Sequence, residues 1–343
     1  MHCGLLILAP NAMSTEQDHI REYLLHKSGS IFSHPVFIER LHAGKAGYAK
    51  AVDRGGNIQA VLPFVKYVNT GFKRLSMPLF AQYTPLSITY PEGILEGKKF
   101  SFELQVMEQL IEQLPKADHY LFQLPFKHEN ILPFLWVGFE STVRYSFTFQ
   151  QGIKLEYTLG AMRPSLRRKL KKLSQEFTVE TSTDVAKLIE LTDKNYRFKD
   201  EHNPFTSEQY LNLFEAGEAL KCGKLWIAKN SSGAVVGAHF YLRDKEYVHY
   251  LVGASEPEFR HLGLSTLLIW KGIEWAAELN LGFNFEGSMT PSIAKYFSGF
   301  GAQLTPYYRV EKYRSKMAKL LRENLGKKKE LTTRQAPSNK DNK

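Results

Sequence analysis

The stretch with the residue types best suited to chemistry is Arg260 to Thr266, which reads RHLGLST and precedes a strongly apolar helical segment. The first amides of a helix lack intrahelical acceptors and carry the positive end of the helix dipole, so they attract anions. Gly263 and Ser265 let a ligand approach the backbone, Arg260 adds charge, and Ser265 and Thr266 are suited to cap the helix. The stretch predicts a pyrophosphate-binding turn, although it also fits an ordinary helix start.

This turn resembles the acyl-CoA-binding motif of the GNAT acyltransferase superfamily: Arg or Gln, two residues, Gly, one residue, then Gly or Ala. Arg260 and Gly263 match, and Ser265 stands in place of the last Gly or Ala. Phe283 to Met289 and Ile293 to Gly301 are similar to the strand and helix that complete that fold. The resemblance implies that an acyl-CoA cosubstrate is held by Arg260, His261, Leu262, Gly263, Leu264, Ser265 and Thr266.

The two-part layout, with the basic run Leu166 to Leu170 early in the second part, is similar to the FemAB-like branch of this superfamily. That branch includes aminoacyl-tRNA-dependent peptidoglycan ligases, and its first unit usually lacks an intact donor motif. The first half of this chain likewise shows no such motif near residues 97–102. The resemblance covers about residues 15–315 and implies two tandem GNAT-like domains.

Acyl transfer to an amine needs a base for the amine and an acid for the leaving group. Glu286 follows an apolar run and precedes Gly287, where partial burial would suit it as the base. The alternative is a carboxylate that caps the next helix or pairs with a basic residue. The resemblance implies Tyr296 as the acid, because many GNAT enzymes use a tyrosine of the corresponding helix; a core tyrosine is the alternative.

Other candidate contacts come from a predicted strand and a predicted basic helix. His249 and Tyr250 are adjacent on the strand, so only one of them points into a cleft, and we expect that one to contact substrate. The cations at residues 167–172 suit a phosphate-rich acceptor or tRNA, or else form a solvated helix face.

The elements that must position these residues form two similar series. Apolar spacing and turn residues define the segments of the first series. They are a helix over Ser14 to Lys27, a hairpin of Tyr48 to Asp53 and Asn57 to Tyr67, irregular chain or short strands over Leu75 to Tyr90, a helix over Phe100 to Leu114, a strand over Tyr120 to Leu124, a helix over Asn130 to Gly138 and a strand over Val143 to Phe149.

The second series begins with helices and continues through a hairpin. Its segments are helices over Asp184 to Tyr196 and Ser207 to Ala219, strands over Lys224 to Lys229, Ala234 to Arg243 and Tyr247 to Gly253, a helix over Leu264 to Leu279, a strand over Phe283 to Glu286, a helix over Ser292 to Phe300 and a strand over Leu304 to Tyr313. This order predicts an α/β fold class with mixed α+β sheets: two tandem GNAT-like domains, each a mostly antiparallel central sheet flanked by helices.

The predicted organisation has four parts. They are an N-terminal extension over 1–13, an N-terminal GNAT-like domain without donor motif over 14–152, a C-terminal GNAT-like domain with the acyl-donor site over 153–315 and a basic tail over 316–343. The formal net charge of the 343 residues is +10, yet residues 312–343 alone hold eleven basic and three acidic residues. The body is therefore nearly neutral, which argues against DNA binding and favours a solvated tail.

Composition excludes several other classes of protein. Two cysteines indicate a reducing compartment, and no apolar run reaches the roughly 18 residues of a membrane span, so we expect a cytoplasmic protein without an integral membrane segment. Phosphate-loop, zinc-protease and paired-cysteine motifs are absent from the sequence, which predicts no metal and no redox cofactor.

The sequence thus predicts an N-acyltransferase that moves an acyl group from acyl-CoA to an amine-bearing small molecule or peptide. One alternative is a Fem-like transferase that uses aminoacyl-tRNA as donor and a peptidoglycan precursor as acceptor. The other is a non-catalytic GNAT-like binding protein.

Overall fold

The computed structural model describes residues 15–69, 72–287 and 289–320. The predicted extension over 1–13 and most of the predicted tail over 316–343 lie outside the described residues. No helix in the described ranges is both long and apolar enough to cross a bilayer.

Helices and strands alternate along the chain. The helices are α1 (Glu16–Lys27), α2 (Pro35–His42), α3 (Glu96–Glu112), α4 (Leu132–Trp136), α5 (Leu155–Ala161), α6 (Pro164–Glu176), α7 (Val185–Phe198), α8 (Ser207–Ala219), α9 (Ser265–Glu278) and α10 (Pro291–Ser298). The strands are β1 (Ala46–Val52), β2 (Ile58–Asn69), β3 (Phe72–Ser76), β4 (Ser87–Ile88), β5 (His119–Gln123), β6 (Glu140–Phe149), β7 (Thr178–Ser182), β8 (Gly223–Lys229), β9 (Val235–Arg243), β10 (Tyr247–Ser255), β11 (Gly282–Asn284) and β12 (Gln303–Tyr313).

Local sequence signals account for most of these elements. Thr15 caps α1 in a reciprocal capping box with Asp18, and Gly56 supplies the positive φ of the β1–β2 turn. Pro133 lies in the first turn of α4, where its missing N–H does no harm. The predicted helices and hairpins are confirmed, and β4 lies in the stretch expected to be irregular or to form short strands, whereas the short elements α2, β3, α5 and β7 were not predicted.

All of these strands belong to one sheet in the order β1-β2-β3-β5-β12-β6-β11-β10-β9-β8-β7, with β4 paired to β2. Its neighbours run antiparallel except for the parallel pairs β3–β5 and β10–β11. The mixed and mostly antiparallel α/β class is thereby confirmed. The sheet is continuous, because the last strand of each half pairs with the other half: β6 with β11, and β12 with β5.

The core also joins the two halves. The apolar helix α9 lies against β9 and β10 on one face of the sheet, where it buries residues such as Leu268 and Ile273 completely. On the other face, α2 from the first half packs against α8 from the second, with Phe37 and Ile38 fully buried. Helices from both halves therefore pack against each other on this second face of the sheet.

Candidate functional site

The Arg260 to Thr266 stretch forms a tight turn at the start of α9. A 3-10 helix over Pro257–Leu262 ends at Gly263, whose φ of +71° is left-handed, and α9 begins at Ser265. The expectation that Ser265 and Thr266 cap this helix was wrong, because both residues lie inside it and Leu264 occupies the cap position without a side-chain hydrogen bond. Their hydroxyls instead contact neighbouring elements: Ser265 Oγ lies 3.3 Å from Nε2 of His239, and Thr266 Oγ1 lies 3.0 Å from the hydroxyl of Tyr296.

Two cations border this turn. Lys169 of α6 lies directly over Gly263, so that a Cβ at position 263 would come 2.7 Å from its Nζ. The guanidinium of Arg260 is 5.1 Å from the ring centroid of Phe198 at the end of α7. The start of α9 thus combines helix amides with two positive side chains, which is the arrangement expected to favour an anion.

A cavity of about 730 Å³, here called the large cavity, opens in front of the turn. Among the residues predicted from sequence, those that line it are Arg260, Gly263, Leu264, Ser265, Tyr250, Glu286 and Tyr296. Four others lie outside its lining. His261 is exposed and its Nδ1 contacts the carbonyl of Glu258, Leu262 packs against the core, and both Thr266 and His249 are buried behind the wall.

The strand β10 contains a bulge at the edge of this cavity. Tyr250 pairs with Tyr241 and Val252 with Phe240, so Leu251 is an extra residue without a partner on β9. Tyr250 faces the large cavity and stacks on His239 at 4.8 Å between ring centroids, whereas His249 points to the opposite side. Of the two alternatives, the structure therefore places Tyr250 at the cavity and His249 behind Glu286.

Glu286 is part of a buried relay of three ionisable side chains. Nδ1 of His249 is 2.5 Å from Glu286 Oε1, and Nε2 of His249 is 2.9 Å from Asp244 Oδ2. Their side chains are only 5%, 12% and 7% exposed for His249, Glu286 and Asp244. Since both ring nitrogens face carboxylate oxygens, both must donate when the two acids are ionised, which makes His249 an imidazolium.

Burial and charge act in opposite directions on this relay. Burial by itself lowers the pKa of His249, but Asp244 and Glu286 outweigh it and raise that pKa from 6.5 to about 10. Burial raises the pKa of Glu286 above its ordinary value, although the hydrogen bond from His249 lowers it. A carboxyl with a raised pKa is a better proton acceptor than one on the surface, provided that it stays ionised.

The backbone at Glu286 sets the direction of its carboxylate. The predicted strand over Phe283 to Glu286 ends earlier, at Asn284, and Glu286 has a positive φ of +59°, followed by Gly287 at +68°. Asn284 holds this bend by accepting a hydrogen bond from the Glu286 amide at 3.0 Å and donating one to its Oε1 at 3.1 Å. Asn284 also accepts from the Ser146 hydroxyl at 2.7 Å, so the first half of the chain supports the bend.

A second cavity of about 380 Å³, here called the small cavity, lies next to Glu286 and is lined mostly by residues of the first half of the chain. Phe205, Leu251, Glu286 and Gly287 line both cavities. The Oε2 atom of Glu286 is buried and has no hydrogen-bond partner among the described residues. An acceptor atom in this condition at the wall between two cavities is suited to take a proton from a bound group.

The raised pKa of His249 predicts a measurable pH dependence of stability. The native state keeps a proton that the unfolded chain loses near pH 6.5, so this stabilisation is complete below pH 6.5 and is lost as pH rises toward 10. In urea titrations between pH 8 and 9.5, the free energy of unfolding of the native sequence should fall by up to about 1.4 kcal/mol per pH unit through this group. His249→Gln should show a flatter decline, and equal slopes would contradict the protonated state.

Sequence reasoning did not find three of the residues around Glu286. Asp244 accepts hydrogen bonds from the amides of Glu246 and Tyr247, so in sequence it is typical of a turn residue. Asn284 lies within an apolar run that gives no sign of its role. Gln82 lies in a stretch expected to be irregular and is 202 residues away from Asn284, with which it forms a hydrogen bond of 3.3 Å. Lys169 was noted only as part of the cationic helix.

Comparison with known proteins finds one matching family model. The sequence model described as an acetyltransferase (GNAT) domain matches residues 160–288, which include the turn, β10 and Glu286. No curated protein matches the chain by sequence. In the described ranges, no group of three or more His, Cys, Asp or Glu side chains is arranged to hold a metal ion.

Several solved structures share the fold at low sequence identity. FemX is 13% identical, with 87% of this chain and 96% of that chain covered and a TM-score of 0.59. L-PGS from Bacillus licheniformis is 14% identical, with 90% and 95% covered and a TM-score of 0.54. The C-terminal domain of a putative lysylphosphatidylglycerol synthetase from Agrobacterium fabrum is 10% identical, with 91% and 97% covered and a TM-score of 0.54. Residues 160–288 therefore match the model of an acetyltransferase (GNAT) domain, and the chain as a whole shares its fold with FemX.

Proposed function

We propose that this protein transfers an acyl group from acyl-CoA to an amine, with the donor in the large cavity and the acceptor in the small one. The observation that carries the proposal is the position of Glu286. It lies in the wall common to both cavities, holds a buried oxygen without a described partner, and is backed by His249 and Asp244. The cationic turn at Gly263 supplies the place for the donor's pyrophosphate.

The residues divide the reaction among them as follows. The amine nitrogen attacks the thioester carbonyl while Glu286 accepts an amine proton, and the C–S bond then breaks to release the amide and a CoA thiolate. We assign the protonation of that thiolate to Tyr296, which lines the large cavity. The unpaired residue Leu251 of the β10 bulge lines both cavities, and its backbone amide is the group we assign to the developing oxyanion.

Lys169 provides a test of the donor site. Removing its charge with Lys169→Ala should weaken acetyl-CoA binding at least about tenfold, because a hydrogen bond to a charged group contributes roughly 1.5–3 kcal/mol after its exchange with water is counted. Lys172→Ala is the matched control, since Lys172 lies on the same helix, is exposed and pairs with Glu176. Calorimetric titration with acetyl-CoA and with free CoA gives the Kd of each variant. If Lys169→Ala and Lys172→Ala bind with equal affinity, Lys169 does not contribute to the donor site.

A charged tRNA is the second candidate donor. It is favoured by the row of exposed cations on α6, and a putative lysylphosphatidylglycerol synthetase shares the fold. The exposed cations are Arg167, Arg168, Lys171 and Lys172. Binding of bulk tRNA with a steep salt dependence, together with no binding of acetyl-CoA, would favour this donor. Acetyl-CoA binding without turnover of any amine would instead favour a non-catalytic binding protein.

A further inference from the structure

We infer that the small cavity receives an acceptor that carries an anion, a carboxylate or a phosphate, and that Arg144 binds this anion. The inference deepens the proposed function, on which it depends for the reaction at the amine. The binding of the anion itself is independent of the proposed function, because it is measurable without any donor.

The position of Arg144 is the first observation. It lies on β6, opposite Tyr307 of β12, and both residues line the small cavity. Its Nε atom is buried and makes no hydrogen bond to any described residue. A buried guanidinium N–H without a partner is costly, so it calls for an acceptor that the protein itself does not supply there.

The charge of the cavity is the second observation. Arg74 adds another guanidinium to the lining, and Glu286 is the one carboxylate among the lining residues. That carboxylate shares the His249 imidazolium with Asp244, so these three groups carry a net charge of −1 against the two guanidiniums of the lining. The remaining polar lining consists of neutral groups, among them Gln82, Gln123 and Tyr307. The cavity is thus electropositive, and a planar guanidinium matches the two oxygens of a carboxylate or phosphate.

The position of Arg144 relative to Glu286 is the third observation. Arg144 and Glu286 line the same cavity of about 380 Å³, so a small acceptor can bind both at once. An anion at Arg144 leaves the amine of the same molecule directed at Glu286 and at the wall shared with the large cavity. This arrangement selects molecules in which an amine and an anion are separated by a few bonds, such as amino acids or phosphorylated amines.

The test compares paired acceptors that differ only in the anion. The carboxylate arm uses L-alanine against L-alaninamide, and the phosphate arm uses O-phosphoethanolamine against ethanolamine. We expect the anionic member of one arm to bind at least tenfold more tightly by calorimetry and to be acetylated with at least tenfold higher kcat/KM. The arm that shows the preference identifies the anion, and the absence of binding or preference in both arms would overturn the inference.

Variants of Arg144 separate this inference from the proposed function. Arg144→Gln should abolish the preference for the anionic member, Arg144→Lys should retain part of it, and the Kd for acetyl-CoA should stay within twofold in both. Arg54→Gln in the exposed β1–β2 turn is the control for loss of a positive charge. If anion binding depends on Arg144 but no acetyl transfer occurs, the small cavity binds an anion as inferred and the proposed reaction is refuted. Acetyl transfer with a preference unchanged in Arg144→Gln would refute the role of Arg144 alone.

Discussion

Glu286→Gln is expected to lower kcat for amine acetylation by about 10²–10⁴-fold, the range that a positioned general base contributes. The amide keeps the size of the side chain and its contact with His249, but it cannot accept a proton. The Kd for acetyl-CoA should change less than about twofold, because the donor's pyrophosphate is assigned to the turn at Gly263 rather than to Glu286. Stopped-time assays of acetylated product give kcat, and calorimetry on the same preparation gives the Kd for acetyl-CoA.

The pH dependence distinguishes a base from a structural carboxylate. Burial raises the pKa of Glu286, so the acid limb of kcat/KM should lie above the ordinary carboxyl value of 4.5, with activity lost as pH falls through it. Glu92→Gln is the control, since Glu92 is exposed in the chain before α3. If Glu286→Gln retained most of its kcat, the base would have to be assigned elsewhere.

Gly263→Glu is expected to weaken acetyl-CoA binding by more than about 100-fold, because the introduced carboxylate would lie where the proposed site binds the donor's pyrophosphate. Two further effects act in the same direction. The φ of +71° costs an L-residue about 1–2 kcal/mol, and the new Cβ would lie 2.7 Å from Nζ of Lys169, which must move away from the turn. The displaced ammonium would then pair with the introduced carboxylate rather than with phosphate.

Two matched variants separate charge from backbone strain. Gly263→Asn introduces a side chain that tolerates a positive φ without adding charge, and it should lose less affinity than Gly263→Glu. Gly93→Glu adds the same charge at a glycine with φ +67° and open space around it, away from the cavities, and should leave binding intact. Full acetyl-CoA affinity in Gly263→Glu would show that the donor binds elsewhere.

Much of the local structure follows from the sequence, because caps, turns and apolar spacing act over a few residues. The hairpin across Arg54-Gly55-Gly56, the capped helix α8 over Ser207–Ala219 and the apolar helix α9 were predicted close to their actual bounds. Short elements such as α2 and β7 were not, since five to eight residues carry little periodicity. The predicted boundary near residue 152 stays a prediction, and the sheet runs continuously past it.

The candidate site likewise contains residues that local sequence predicts and residues that only the tertiary structure brings together. The sequence by itself predicted a turn at Gly263 suited to an anion and indicated Glu286 as a candidate base, because both predictions depend on residue type and immediate neighbours. Only the tertiary structure decided what surrounds Glu286. Asp244 and His249 meet it across the β9–β10 hairpin and β11, while Gln82 comes from the loop between β3 and β4 and Arg144 from β6, both in the first half of the chain. These contacts are fixed by strand pairing and packing between residues far apart in the chain, for which single-sequence patterns carry no signal.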